Sequence, residues 1–200
     1  MLQGEVEAQL DGIHTRDDAH LMTLLDQTRT LDRLVEDLRT LALGDAEQLT
    51  LHREAVSLAV VAEDSVAAIA PTASRRGVTL TVAGTEGTEV ELAADPVRLG
   101  QVVTNLLTNA VRHTPREGTV TITVAAADET VAVIVADTGS GINGDPARIF
   151  DRFSRSADSG GSGLGLTIAR QLVERHGGNL TAANAATGGA RFTVTLPRVS

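Results

Sequence analysis

The chain has 200 residues, 17 of them basic and 26 acidic, with 42% hydrophobic and 22% charged content; that apolar material suffices for one large domain or two small ones and excludes collagenous and disordered classes. Every basic residue is an arginine and cysteine is absent, which rules out a Walker-A phosphate loop, a Schiff-base lysine, the strand lysine of eukaryotic-type protein kinases, disulfides and thiolate chemistry. A net charge of −9 and only three aromatic residues, Phe150, Phe153 and Phe192, speak against nucleic acid as a partner.

Met1 to Leu10 reads as helical and is stopped by Asp11-Gly12. Thr15-Arg16-Asp17-Asp18 resembles a capping box with Asp in place of Glu, opening a longer helix. From Leu21 the residues Leu21, Leu24, Leu31, Leu34, Val35, Leu38, Leu41 and Ala42, with Thr28 filling one gap, form an apolar seam in alternating steps of three and four. Residues 1 to 43 therefore predict a helical hairpin. Such a hairpin cannot cover its own seam, so pairing with a second copy into a four-helix bundle is expected, against the alternative that one helix packs on the rest of its own chain. No apolar run approaches the roughly 18 residues of a membrane span, and Met1 is followed by Leu2-Gln3-Gly4-Glu5 instead of a targeting segment. A soluble, cytoplasmic fragment without membrane contact is the expectation.

Gly44-Asp45-Ala46-Glu47 reads as a polar connector, giving two domains, 1–45 and 46–200. Ser57 is expected to cap a helix from Leu58 to about Arg76, ended by Gly77, with Pro71 inside it. Val78 to Ala83 and Glu89 to Ala93 read as a hairpin around Gly84 and Gly87. Asp95 as cap and Pro96 at the first helical position start a helix that runs to about His113. Thr119 to Ala126 and Thr130 to Ala136 alternate as neighbouring strands. A glycine-rich stretch from Gly139 to Gly165 leads into a helix ending at Gly177-Gly178, and Asn179 to Asn184 with Arg191 to Leu196 closes the chain as a strand pair. This order favours an α/β fold, an open two-layer sandwich with helices on one face of the sheet. His14, His20, His52 and His176 lack metal-ligand spacing, and solvated surface positions are expected for them.

Within the helix from Asp95, Gln101, Asn105, Asn109 and His113 recur every fourth place, with Leu99, Val102, Val103, Leu106, Leu107, Ala110 and Val111 on the other side. Asparagine is a poor helix former, so two of them one turn apart ask for a reason beyond an exposed polar face. An amide oxygen can ligate magnesium, a hard ion that shares phosphate oxygens, and Asn109 is the candidate ligand. Asp137-Thr138-Gly139-Ser140-Gly141-Ile142 ends an apolar strand. Its glycines allow close approach to a flat ligand and its aspartate can accept from an exocyclic amine, although an Asx turn explains the same residues. Gly161-Ser162-Gly163-Leu164-Gly165-Leu166 opens a helix, aiming amide hydrogens at an anion or serving as a linker that ends in a cap. Between them, Phe150-Asp151-Arg152-Phe153-Ser154-Arg155 combines aromatic anchors with arginines that could reach phosphate, or forms a small satellite core with surface arginines.

These four elements, in this order, resemble the asparagine, first glycine, phenylalanine and second glycine boxes of sensor histidine kinases of two-component systems, within the wider group of gyrase and MutL type ATPases. The resemblance implies a Bergerat-type two-layer α/β sandwich that binds ATP and Mg2+. It implies that Asn109 binds magnesium, Asp137 reads the adenine amino group, Gly139 and Gly141 shape the base pocket, Arg112 and Arg155 approach the phosphates, and Gly163 and Gly165 cradle them. Asn105, His113, Ile142, Phe153, Gly161 and Leu164 complete the boxes. Relatives that hydrolyse ATP tend to have a glutamate one turn before the magnesium asparagine. Asn105 stands there, which favours transfer to a protein histidine and relay to a response regulator.

The hairpin resembles the later part of a dimerisation and phosphotransfer domain, without the family's His-Glu-Leu-Arg-Thr-Pro-like acceptor stretch. The expectation is a part of a longer kinase, anchored in the bacterial inner membrane by upstream segments and unable to phosphorylate itself as it stands. The shortened stretch from Asp151 to Gly161 puts tight nucleotide binding in question. Two other functions fit: a dimeric ATP-binding adaptor without chemistry, and a serine/threonine kinase of the anti-sigma type on the same fold.

Overall fold

The computed structural model of the chain describes residues 49–84, 91–127, 129–152, 163–186 and 188–198, together with Thr28, Leu31, Val35 and residues 39–42. The chain divides into two compact units, Met1–Glu47 and Gln48–Ser200. In the first, the described residues are helical; Leu31 and Val35, one turn apart, are 49% and 65% exposed, whereas Thr40 and Leu41 are buried. The first hairpin helix, the Thr15 capping box, the Gly44–Glu47 connector, His14 and His20 lie outside the described residues.

The second unit runs β1 (Glu54–Ser57), α1 (Leu58–Arg76), β2 (Thr79–Ala83), β3 (Glu91–Ala94), α2 (Pro96–His113), β4 (Thr119–Ala126), β5 (Thr130–Asp137), a 3-10 turn (Arg148–Phe150), α3 (Gly165–Arg175), β6 (Asn179–Asn184) and β7 (Ala190–Pro197). Five strands form one sheet in the order β2-β4-β5-β7-β6, with β2 and β4 parallel and the remaining neighbours antiparallel. Strict alternation fixes which face is covered: Val120, Ile122 and Val124 on β4, Val131, Val133 and Val135 on β5, and Phe192, Val194 and Leu196 on β7 are all buried. The intervening positions, largely Thr and Ala, are mostly half-buried, so one face takes the helices and the other stays open. On the covered face α2 packs between α1 and α3 and against β5, while α1 meets β2 and α3 meets β6.

The helix ends follow local chemistry. Asp95, in an extended conformation, accepts the Arg98 amide hydrogen at 3.1 Å, and Pro96 supplies the first helical residue of α2. At its other end Thr114 takes an extended backbone and donates its hydroxyl to the Ala110 carbonyl at 2.7 Å, and Pro115 follows. Gly77 ends α1 at φ 68°, the left-handed conformation of a glycine cap. Among the described residues no helix is long and apolar enough to cross a membrane.

Three expectations fail. The hairpin of residues 78–93 does not form: β2 joins β4 in parallel through the crossover that contains α2, and β3 pairs with β1 in a separate two-stranded sheet. The turn glycines suggested a local connection, but β1, with Val56 its one buried residue, carried no alternation that would have revealed a competing partner. Ser57 sits at the N-cap of α1, yet its side chain makes no cap hydrogen bond. Finally, His176 is 4% exposed instead of solvated. Its Nε2 accepts the Asp95 amide hydrogen at 3.1 Å, which requires the proton to sit on Nδ1, 2.7 Å from the Leu172 carbonyl. Arg53 adds a bond from its guanidinium to the Arg175 carbonyl at 3.2 Å, and the Asp95 carboxylate accepts the His52 amide hydrogen at 3.0 Å.

Candidate functional site

The apolar side of α2 is fully engaged in the core, which leaves Gln101, Asn105, Asn109 and His113 half-buried along the opposite stripe. Gln101 is held within the helix by Arg98, whose Nη1 donates to Gln101 Oε1 at 3.1 Å. Asn105 reaches across to the second glycine box, where its Nδ2 donates to the Gly165 carbonyl at 3.1 Å. Two turns further on, the His113 carbonyl meets the first glycine box so closely that a Cβ on Gly139 would collide with its oxygen. The stripe therefore touches one glycine turn at Asn105 and the other at His113, about 12 Å apart by helical rise, with Asn109 midway between.

Asp137 ends β5 on the covered face. It is buried at 5% exposure, and its Oδ1 accepts two backbone hydrogens, from Gly139 at 2.8 Å and from Ala190 at 3.1 Å. The first bond is an Asx turn, so that reading of Asp-x-Gly-x-Gly holds as local geometry. It also aims the carboxylate instead of merely closing a loop. Thr138 is pinned to the sheet in turn, its Oγ1 accepting the Thr119 amide hydrogen at 2.9 Å. Gly141, at φ 75°, takes a left-handed turn. Ile142 after it is tied to Asn184 on β6 by two hydrogen bonds.

The second glycine box has Gly163 at φ 72° and a buried Leu164 before α3. Leu164 at the N-cap of that helix has no side chain able to cap it, and no acidic residue occupies the first turn, so the helix dipole there favours an anion. The phenylalanine box is anchored at Phe150, which is buried. Its carbonyl accepts from Thr167 Oγ1 at 2.9 Å, and the Arg170 guanidinium lies over its ring at 5.6 Å. Phe153, Arg155 and Gly161 lie outside the described residues.

Burial depresses the pKa of His113, and the neighbouring Arg112 charge adds to this; the Asp137 carboxylate opposes it and Arg76 reinforces it. The Arg112 carbonyl accepts from Arg76 at 2.9 Å, which ties the C-terminal turn of α2 to the end of α1. A cavity of about 500 Å³ lined by Asn143, Gly144, Asp145, Arg148, Ile149, Asp151 and Arg152 adjoins the first glycine box. A second, of about 300 Å³, lies between β1, α1 and the start of α2 and contains none of the box residues. The supports supplied by Asn184 and Ala190 had no signal in the sequence: Ala190 acts through its backbone amide, and an Asn near a strand end reads as an ordinary turn residue.

Residues 94–200 match the profile of the family described as histidine kinase-, DNA gyrase B-, and HSP90-like ATPase. The chain is 34% identical over 203 residues to the signal transduction histidine-protein kinase BaeS of Escherichia coli (strain K12), an alignment that covers 98% of this chain and 43% of BaeS. Among solved structures, the Acinetobacter baumannii histidine kinase AdeS is similar with a TM-score of 0.77 and 26% identity, over 100% of this chain and 94% of that one. Full-length ShkA in complex with AMPPNP gives a TM-score of 0.80 and 28% identity, over 94% and 40%. The chain spans less than half the length of the curated relatives it matches.

Proposed function

The chain belongs to the histidine kinase-, DNA gyrase B-, and HSP90-like ATPase family, and from that premise we propose that its second unit is the MgATP-binding catalytic core of a two-component sensor histidine kinase. The carrying observation is the stripe on α2, which meets the Asp137 glycine turn at His113 and the Gly165 turn at Asn105. The chemistry of the donors fits the ligand. A buried carboxylate whose Oδ1 is committed to backbone amides directs its other oxygen toward an adenine amino group. Gly139, whose Cβ position is taken by the His113 carbonyl, seats the Asp137 turn against α2. A helix start with Gly163 before it and Gly165 as its first residue receives phosphates, helped by Arg112 and Arg155.

Among the described residues no three His, Asp or Glu gather into a metal site. A magnesium ion held by the Asn109 amide oxygen would share phosphate oxygens and retain waters, as this ion does. Bound there, the ion would neutralise charge on the phosphates. Asn105 carries no carboxylate that could activate water, and its amide is engaged with the Gly165 carbonyl. Transfer of the γ-phosphoryl to an imidazole nitrogen, with ADP leaving, is favoured over hydrolysis. The acceptor would be a histidine outside these 200 residues, and an aspartate of a response regulator the next recipient. Leu31 and Val35, exposed one turn apart on the first unit, support pairing of that helix with a second copy. Use of ATP makes the cytoplasm its compartment.

Calorimetry with a nonhydrolysable ATP analogue tests the site. Parent protein is expected to bind in a magnesium-dependent manner, Asn109→Ala to lose the magnesium-linked part of the affinity, and Asp137→Asn to lose preference for adenine over guanine. Equal affinities in all three would remove the assignment. Phosphoryl transfer in trans to a chain carrying an acceptor helix separates a kinase from a non-catalytic adaptor.

A further inference from the structure

The last residue of β6 has no part in the boxes, yet it holds one of them. Asn184 Oδ1 accepts the Ile142 amide hydrogen at 2.6 Å, and Asn184 Nδ2 donates to the Ile142 carbonyl at 3.1 Å. One carboxamide thus satisfies both polar groups of one residue's backbone across 42 positions of sequence, as a neighbouring strand would. The two partners also fix which end of the amide is which. The fit is close on the neighbouring residue, because a Cβ on Gly141 would stand 2.7 Å from Asn184 Oδ1 and 3.3 Å from the Gly189 carbonyl.

Asn184 is itself held in place. It pairs with Ala190 across the β6–β7 ladder, and the turn between is closed by Ala185 N donating to Gly189 O at 2.9 Å and Gly188 N donating to Ala185 O at 3.0 Å. Ala190 is the residue whose amide supports Asp137. One hairpin end therefore holds both the buried carboxylate and the loop beside it. Asn184 is solvent-exposed, so the core does not need it; a bidentate bond there serves the loop.

We propose that Asn184 is a positioning residue of the nucleotide base loop, keeping Gly141 and Ile142 in the conformation that admits the base beside Asp137. This rests on the nucleotide reading above and adds a residue to it. Binding to a loop that is competent only part of the time weakens in proportion to that fraction. Two solvent-exposed bonds are individually modest. Their joint loss is expected to weaken affinity roughly 3- to 10-fold.

The test uses the full 200-residue chain. Asn184→Ala is expected to weaken binding of a nonhydrolysable ATP analogue with magnesium by that factor and to speed hydrogen exchange at the Ile142 amide, with an unfolding midpoint near that of the parent. Asn184→Asp keeps an acceptor for the Ile142 amide and loses the donor, so it should fall between. Equal affinity in parent and Asn184→Ala overturns the proposal, as does a lowered midpoint with unchanged affinity, the result of a purely structural role. A folded parent that binds no nucleotide removes the nucleotide reading and the role of Asn184 in it; accelerated Ile142 exchange in the variant would still report the clamp, so the two failures are distinguishable.

Discussion

Two glycines of the second unit differ in what the space beside their Cα atoms allows. Gly139 faces the His113 carbonyl, and any Cβ there collides with it, whereas a Cβ on Gly100, inside α2, meets nothing within 4 Å. Gly139→Ala is expected to cost about 1–3 kcal/mol through overpacking and to abolish nucleotide binding by pushing the glycine turn off α2. Gly100→Ala should stabilise by about 0.5–1 kcal/mol, because only unfolded-chain entropy is lost at a helical position. Chemical denaturation of both variants checks the pair. The Asp-x-Gly-x-Gly motif marks Gly139 in the sequence, but the carbonyl that forbids a Cβ there is visible only in the structure.

The elements were legible where their signals were local and repeated. The C-terminal end of α1, the bounds of α2, and the β4–β5 and β6–β7 pairs follow from caps, turn residues and alternation that a few adjacent residues carry. Pairing of β2 with β4 and of β3 with β1 was not legible, since β1, β2 and β3 are short strands with at most two buried residues each and are assigned by partners far along the chain. The same division holds for the site. Asn105, Asn109, Asp137 and Gly139 stood out by residue type and spacing, whereas Asn184 acts through a bond to a residue 42 positions away. At this scale Asp95 and Ser57 make a contrasting pair. Asp95→Ala removes a cap bond to Arg98 and the bond from His52 and should cost about 1–2 kcal/mol. Ser57→Ala, with no cap bond to lose, should stay within about 0.5 kcal/mol by the usual range for surface changes.

Within the second unit, the buried His176 joins the start of α2 to the end of α3, and it makes stability depend on acidity. Burial lowers its pKa from 6.5; its bond to Leu172 and the Asp95 charge act against this, and Arg53 acts with it. Burial lowers the pKa of His113 likewise. The unfolded chain thus takes up protons on both rings before the folded one does. Stability is full above about pH 6.5 and falls as the pH drops below it through the folded values, by at most about 1.4 kcal/mol per pH unit for each ring. Asp95 adds a second stage. Burial alone would raise its pKa, but the amide hydrogens of Arg98 and His52 and the Arg98 charge outweigh it and leave it below 3.8, so its share is lost only below that pH. Unfolding midpoints measured from pH 8 to pH 5 should fall in the parent and fall less in His176→Gln.

The position of β7 has a consequence for how the protein is made. It lies between β5 and β6, inside the sheet, although it is the final strand of the series. Its first residue supplies the amide that aims Asp137. A nascent chain still tethered to the ribosome short of residue 190 has every box residue already translated but lacks the amide that fixes Asp137, so ligand is expected to assist its folding only once synthesis has passed that strand.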